Sequence, residues 1–110
     1  MKKILFAALI VALCASLAWA HSPSSISITI TDGAVEVVIS HPVSDPIEHY
    51  IKLVTVSVNG IEVERREFTT QSQEGQAATF EIPGLRTGDK VAVTAVCSRF
   101  GNKRQDVTVP

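Results

Sequence analysis

His21, His41, His49, Cys14 and Cys97 are all of the histidine and cysteine in this 110-residue chain. His41 and His49 flank a short loop with two prolines, in the stretch SHPVSDPIEHYI from Ser40 to Ile51. Imidazole nitrogen and thiolate sulfur suit Fe(II), Zn(II) and Cu, whereas Mg and Ca prefer oxygen. Two or three histidines with one thiolate make a closed tetrahedral zinc site or a redox site with an open position. Taken singly, each residue has a plainer reading. A lone histidine is usually a surface or hydrogen-bonded group, and a lone cysteine ending an apolar strand face is usually core. What links them is position, because the strand pattern puts each near a strand end.

That pattern is all-β. SISITIT alternates Ile26, Ile28 and Ile30 with Ser and Thr, the period of a half-buried strand. Asp32-Gly33 is a turn signal, and AVEVVIS follows with Val35, Val37 and Ile39 on one face. HYIKLVTVSV reads as a long strand, Asn59-Gly60 as a tight hairpin turn and IEVERREF as its return. TTQSQEGQ is a polar loop. AATFEI is a strand closed by Pro83-Gly84, and LRTGDK is a turn. VAVTAVC places Val91, Val93, Ala95 and Cys97 on one face; SRFGNKRQ turns, and DVTV closes the chain. About seven short strands with no amphipathic helix pattern predict a small antiparallel, immunoglobulin-like β-sandwich. The Cys…Trp…Cys signature of true immunoglobulin domains is absent, since the one tryptophan is Trp19. If consecutive strands are antiparallel neighbours, His41 at the end of the second and His49 at the start of the third share a pole. The start of the first strand, and so His21, belongs there too. Cys97 joins them if its strand runs in the direction of the second.

Residues 1–20 read as a cleaved signal peptide. Lys2 and Lys3 form a positive start, Ile4 to Leu13 an apolar stretch, and Ala18-Trp19-Ala20 a cleavage site. The apolar stretch is short for a membrane span, and no second long one follows. Cys14 follows Leu13 rather than the small residue expected before a lipid-attachment cysteine. The expected cut after Ala20 leaves one domain over residues 21–110, periplasmic or secreted, with no membrane association. Losing Lys2 and Lys3 takes the formal charge from −1 to −3. With no basic cluster, nothing points to nucleic acid. A single remaining cysteine allows no internal disulfide. Cleavage also makes His21 terminal, and an α-amine with a pKa of about 7.7–8.0 is cheaply neutralised for coordination beside its own imidazole.

HSP at His21, HP at His41, EHYI at Glu48 to Ile51 and CSRFG at Cys97 resemble the iron-binding domain of desulfoferrodoxin and superoxide reductase. That pattern is H-x-P, HP, EHYI and C-N-x-H-G on an immunoglobulin-like sandwich, and the resemblance covers nearly all of residues 21–110. It implies a mononuclear iron held by four histidine nitrogens and an axial thiolate, with a sixth position open for superoxide. His21, His41 and His49 match the equatorial ligands and Cys97 the axial one. A thiolate pushes electron density onto iron, which suits one-electron reduction of superoxide to peroxide by an oxidoreductase fed from an electron-donor protein. Three departures stand out. The fourth histidine falls at Phe100, which cannot bind a metal. The loop from His41 to His49 is two residues longer than the family's. The Glu-Lys pair before the first histidine is missing, and its lysine assists superoxide. The α-amine of His21 is the natural replacement for the lost nitrogen.

HYIKLVTVSVNG and TGDKVAVTAVCSRFGNKRQDVTV also resemble the non-carrier partner subunit of the thiosulfate-oxidising Sox complex. On that reading the strands are a docking surface for a sulfur-carrier protein, and Cys97 is incidental to sulfur oxidation. A third reading is a periplasmic copper-binding sandwich that uses His21, with zinc as a further metal. Lys52, Lys90 and Arg99 are cations that could approach an open position, each more simply a solvated charge.

Overall fold

A computed structural model describes residues 22–110 of the chain. The expected signal peptide, Cys14 and the candidate ligand His21 lie outside the described residues. Seven strands follow in order: β1 Ser25–Thr31, β2 Ala34–Ser40, β3 Ile51–Val58, β4 Ile61–Glu67, β5 Gly75–Glu81, β6 Lys90–Cys97 and β7 Asn102–Thr108. No described residue is helical.

The strands form where apolar and polar residues alternate, because successive side chains point to opposite faces. In β2, Val35, Val37 and Ile39 are buried while Glu36 and Val38 are exposed. Two tight turns set the hairpin registers. Asp32 and Gly33 both have positive φ, 48° and 80°, as do Asn59 and Gly60, 51° and 87°. That pair of signs is the type I′ turn, whose twist matches the flanking strands.

Two sheets pack face to face, β1-β2-β5 and β4-β3-β6-β7, with every pairing antiparallel. Ile26, Val35, Val37, Ile39, Ala78 and Phe80 from the first meet Ile51, Val54, Val56, Val91, Val93 and Ala95 from the second. Each large side chain fully buried in this way contributes about 1.5–3 kcal/mol. The all-β, immunoglobulin-like sandwich expected from the sequence is the fold observed.

The details differ in three places. β2 and β3 lie in different sheets, so residues 41–50 cross between layers instead of forming a hairpin. The ends still meet at one pole, because the crossing is short. β3 begins at Ile51, which leaves His49 in the preceding turn. β7 begins at Asn102, earlier than the expected Asp106. Residues 102–105 pair with Val96 to Val93 along an open sheet edge. An edge strand with polar residues on both faces has no alternation to read.

Candidate metal centre

The site continues the core by one layer. The alternation that buries Val35, Val37 and Ile39 runs one step past β2 to His41, which is 3% exposed. In β6 the buried series Val91, Val93, Ala95 ends at Cys97, a free thiol 1% exposed. His49 precedes the buried Ile51 by two residues. Ile51 pairs directly with Cys97, so the start of β3 lies beside the end of β6.

A bulge makes this pairing. Leu53 pairs with Val96 and Ile51 with Cys97, which leaves Lys52 as the extra residue. Were Lys52 counted in a regular ladder, it would pair with Cys97 and Ile51 would take the outward phase of Leu53. The extra residue returns Ile51 to the core, in the way bulges redirect side chains beside functional sites. Tyr50 ties the junction, donating its N–H to Ser98 Oγ at 3.1 Å and accepting the Ser98 N–H at 2.8 Å. Asp45 organises the turn before His49. Its carbonyl accepts the His49 N–H at 2.9 Å, and its Oδ1 accepts the Ile47 N–H at 3.1 Å.

The functional atoms converge. His49 Nε2 lies 3.1 Å from Cys97 Sγ. The His41 and His49 rings meet edge to face, with centroids 4.8 Å apart and planes at 88°. One ligand atom from each of His41, His49 and Cys97 lies within 4.8 Å of the others. His41 Nδ1 is 2.9 Å from Gln71 Oε1. His41 Nε2 is buried and, among the described residues, has no hydrogen-bond partner. An orphaned buried nitrogen costs about 1–3 kcal/mol, and a bound cation would remove that cost. Bonds of about 2.0–2.3 Å to such donors set ligand atoms about 3–4 Å apart. The His49–Cys97 pair already meets this, and a small closure of the third ligand completes it. Two imidazoles and a thiolate therefore fit a first-row transition metal and fit Mg or Ca poorly.

Gln71 is the residue that sequence reasoning missed. It is buried, 8% exposed, within the stretch read as a polar loop. Nothing in TTQSQEGQ separates it from Gln73 or Gln76. The other candidates stand apart. Phe100 lies in the turn between β6 and β7 and is 65% exposed. Lys52 and Arg99 are exposed near this pole. Lys90 begins β6 and so sits at the far pole, roughly 23 Å away at about 3.3 Å per residue.

No family model and no curated protein matches the chain. Solved structures do. A superoxide reductase (1Fe-SOR) from Giardia intestinalis superposes with a TM-score of 0.62 at 17% identity, covering 82% of this chain and 98% of that one. A hypothetical protein from Pyrococcus horikoshii OT3 gives 0.54 at 24% identity, covering 84% and 91%. A superoxide reductase (neelaredoxin) from Ignicoccus hospitalis gives 0.52 at 17% identity, covering 82% and 81%. The chain thus has the fold of the superoxide reductase structures and carries, at one pole of that fold, a His-His-Cys group able to hold a metal.

Proposed function

We propose that this domain binds one mononuclear iron through His41, His49 and Cys97, and that it reduces superoxide. The observation that carries the reading is the buried, unpartnered His41 Nε2 within one cluster with the paired His49 Nε2 and Cys97 Sγ. A thiolate-ligated iron supplies a one-electron step, by which superoxide with two protons becomes hydrogen peroxide, and an external donor protein replaces the electron. The residues of the chain do the rest. Gln71 holds the His41 imidazole, the Asp45 turn holds the main chain at His49, and the apolar layer beneath excludes water on the core side. His21 is proposed as a further ligand, through its imidazole and, after cleavage at Ala20, its α-amine. The same signal sequence supports a periplasmic or secreted location.

Anaerobic Fe(II) loading followed by oxidation tests the centre. The expected result is one iron per chain and a thiolate-to-iron charge-transfer band. A protein that takes up no iron and stays colourless overturns it. For His21, the processed protein is compared with a version bearing one extra residue before it. Weaker binding by the extended version supports the amine as ligand, and equal binding removes it.

A further inference from the structure

Gln71 makes four hydrogen bonds from one buried amide. Its Oε1 accepts the Ile51 N–H at 2.8 Å and faces His41 Nδ1 at 2.9 Å. Its Nε2 donates to the His41 carbonyl at 2.7 Å and to the Ser72 carbonyl at 2.9 Å. These partners fix the amide's orientation. Turning it over would set an NH2 group against the Ile51 N–H and an oxygen against two carbonyl oxygens, losing the bonds to Ile51, the His41 carbonyl and the Ser72 carbonyl together. Oε1 is therefore an acceptor toward His41, and a neutral imidazole facing an acceptor must carry its proton on Nδ1. The other nitrogen, Nε2, is then left with a bare lone pair. That is the buried atom without a partner, in the residue that joins His49 and Cys97.

We infer that Gln71 is the positioning residue of this centre, locking His41 as the Nδ1–H tautomer so that its Nε2 lone pair is held ready for a metal. The inference rests on the metal-site reading above. The backbone supports the same function. His41 donates its own N–H to the Glu74 carbonyl at 2.8 Å, so the loop carrying Gln71 grips both the main chain and the ring of His41. Because Oε1 also takes the Ile51 N–H, one amide sets His41 relative to the strand start that follows His49. A ligand whose tautomer and orientation are set before the metal arrives loses less freedom on binding. Removing such a partner typically lowers metal affinity about 10–100-fold.

Two substitutions separate this role from simple loop stapling. Gln71→Leu removes the acceptor and both donor bonds. Gln71→Glu keeps the acceptor but sets an oxygen against the His41 and Ser72 carbonyls, so it weakens the loop staple at least as much as Q71L does. Long-range 1H–15N NMR on metal-free protein, with His41 neutral, reads the tautomer directly. Wild type and Q71E are expected to show Nδ1–H, and Q71L a mixture rich in Nε2–H. Co(II) titration is expected to show Q71L weakened about 10–100-fold and Q71E close to wild type. Wild type with Nε2–H, or Q71L with wild-type tautomer and affinity, overturns the inference. Equal weakening of Q71L and Q71E overturns it too, since that pattern belongs to stapling. If Q71L does not fold, Gln71→Met keeps the volume and gives the same readouts. Wild type that binds no Co(II) overturns the metal-site reading alone, and the NMR tautomer still decides the role of Gln71.

Discussion

Cys97 is a core residue by its burial and a candidate ligand by its neighbours. Its sulfur closes the apolar series of β6 and lies 3.1 Å from His49 Nε2. Cys97→Ser keeps nearly the same volume, so the fold is expected to persist with a stability change of about 1 kcal/mol. The same variant is expected to lose the charge-transfer band of the iron-loaded protein and to weaken Co(II) binding by more than about 100-fold, beyond the range of an outer partner. Absorbance titration of both proteins checks this. At this scale the sequence spoke through residue type. His41, His49 and Cys97 were legible because no other soft ligands compete within residues 22–110. Gln71 was not, because its role depends on contacts 30 residues away at His41 and 20 away at Ile51. A single amide in a polar loop carries no mark of such contacts.

The β2–β5 pairing ends beside the site, at Ser40 opposite Gly75. A Cβ on Gly75 would collide with the Ile39 carbonyl oxygen and crowd the His41 N–H at 3.0 Å. The backbone there has φ of 157°. Gly75→Ala is therefore expected to push the strands apart where His41 leaves β2. It should cost about 1–3 kcal/mol in urea unfolding and lower metal affinity as well. A normal affinity would mean that His41 is held by Gln71 alone. Elements with alternation or turn signals were legible: β1, β2, β6 and both I′ hairpins. β7 was read short because it lies on an edge, and the start of β5 because Gly75 belongs to the strand through pairing, not side-chain character.

The whole molecule is laced at both ends. At the pole away from the site, Asp89 accepts the Arg86 N–H at 2.9 Å and the Asn59 side-chain N–H at 3.1 Å. The Arg86 backbone bond, the Asn59 bond and the Arg86 charge hold its carboxyl below the ordinary value of 3.8. A depressed folded pKa gives stability that is present above the unfolded pKa and is lost as pH falls through the folded one. Asp89→Asn is thus expected to flatten the fall in Tm between about pH 4 and pH 2, measured by thermal unfolding. In the middle, Phe80 is packed in the core with the Arg66 guanidinium 4.5 Å from its ring centroid, while Arg66 Nη2 donates to the Thr79 carbonyl at 3.1 Å. Phe80→Ala should cost about 3–5 kcal/mol in the same measurement. The sequence carried the strand count and the faces, but the crossing of residues 41–50 between sheets is a property of the assembled layers.

The bulge at Lys52 gives the chain a kind of information that no side chain holds. Lys52 is exposed, so Lys52→Ser should leave stability within about 0.5 kcal/mol and metal binding unchanged. Deleting Lys52 closes the ladder: Ile51 then directly precedes the outward Leu53, keeps its inward phase opposite Cys97, and the strand loses the bend and added twist of the bulge. Ile51 is expected to stay in the core while the turn that carries His49 is re-aimed, which a Co(II) titration reads as weaker binding. Here the gene encodes a length, and the chemistry of the residue that supplies it is free to drift.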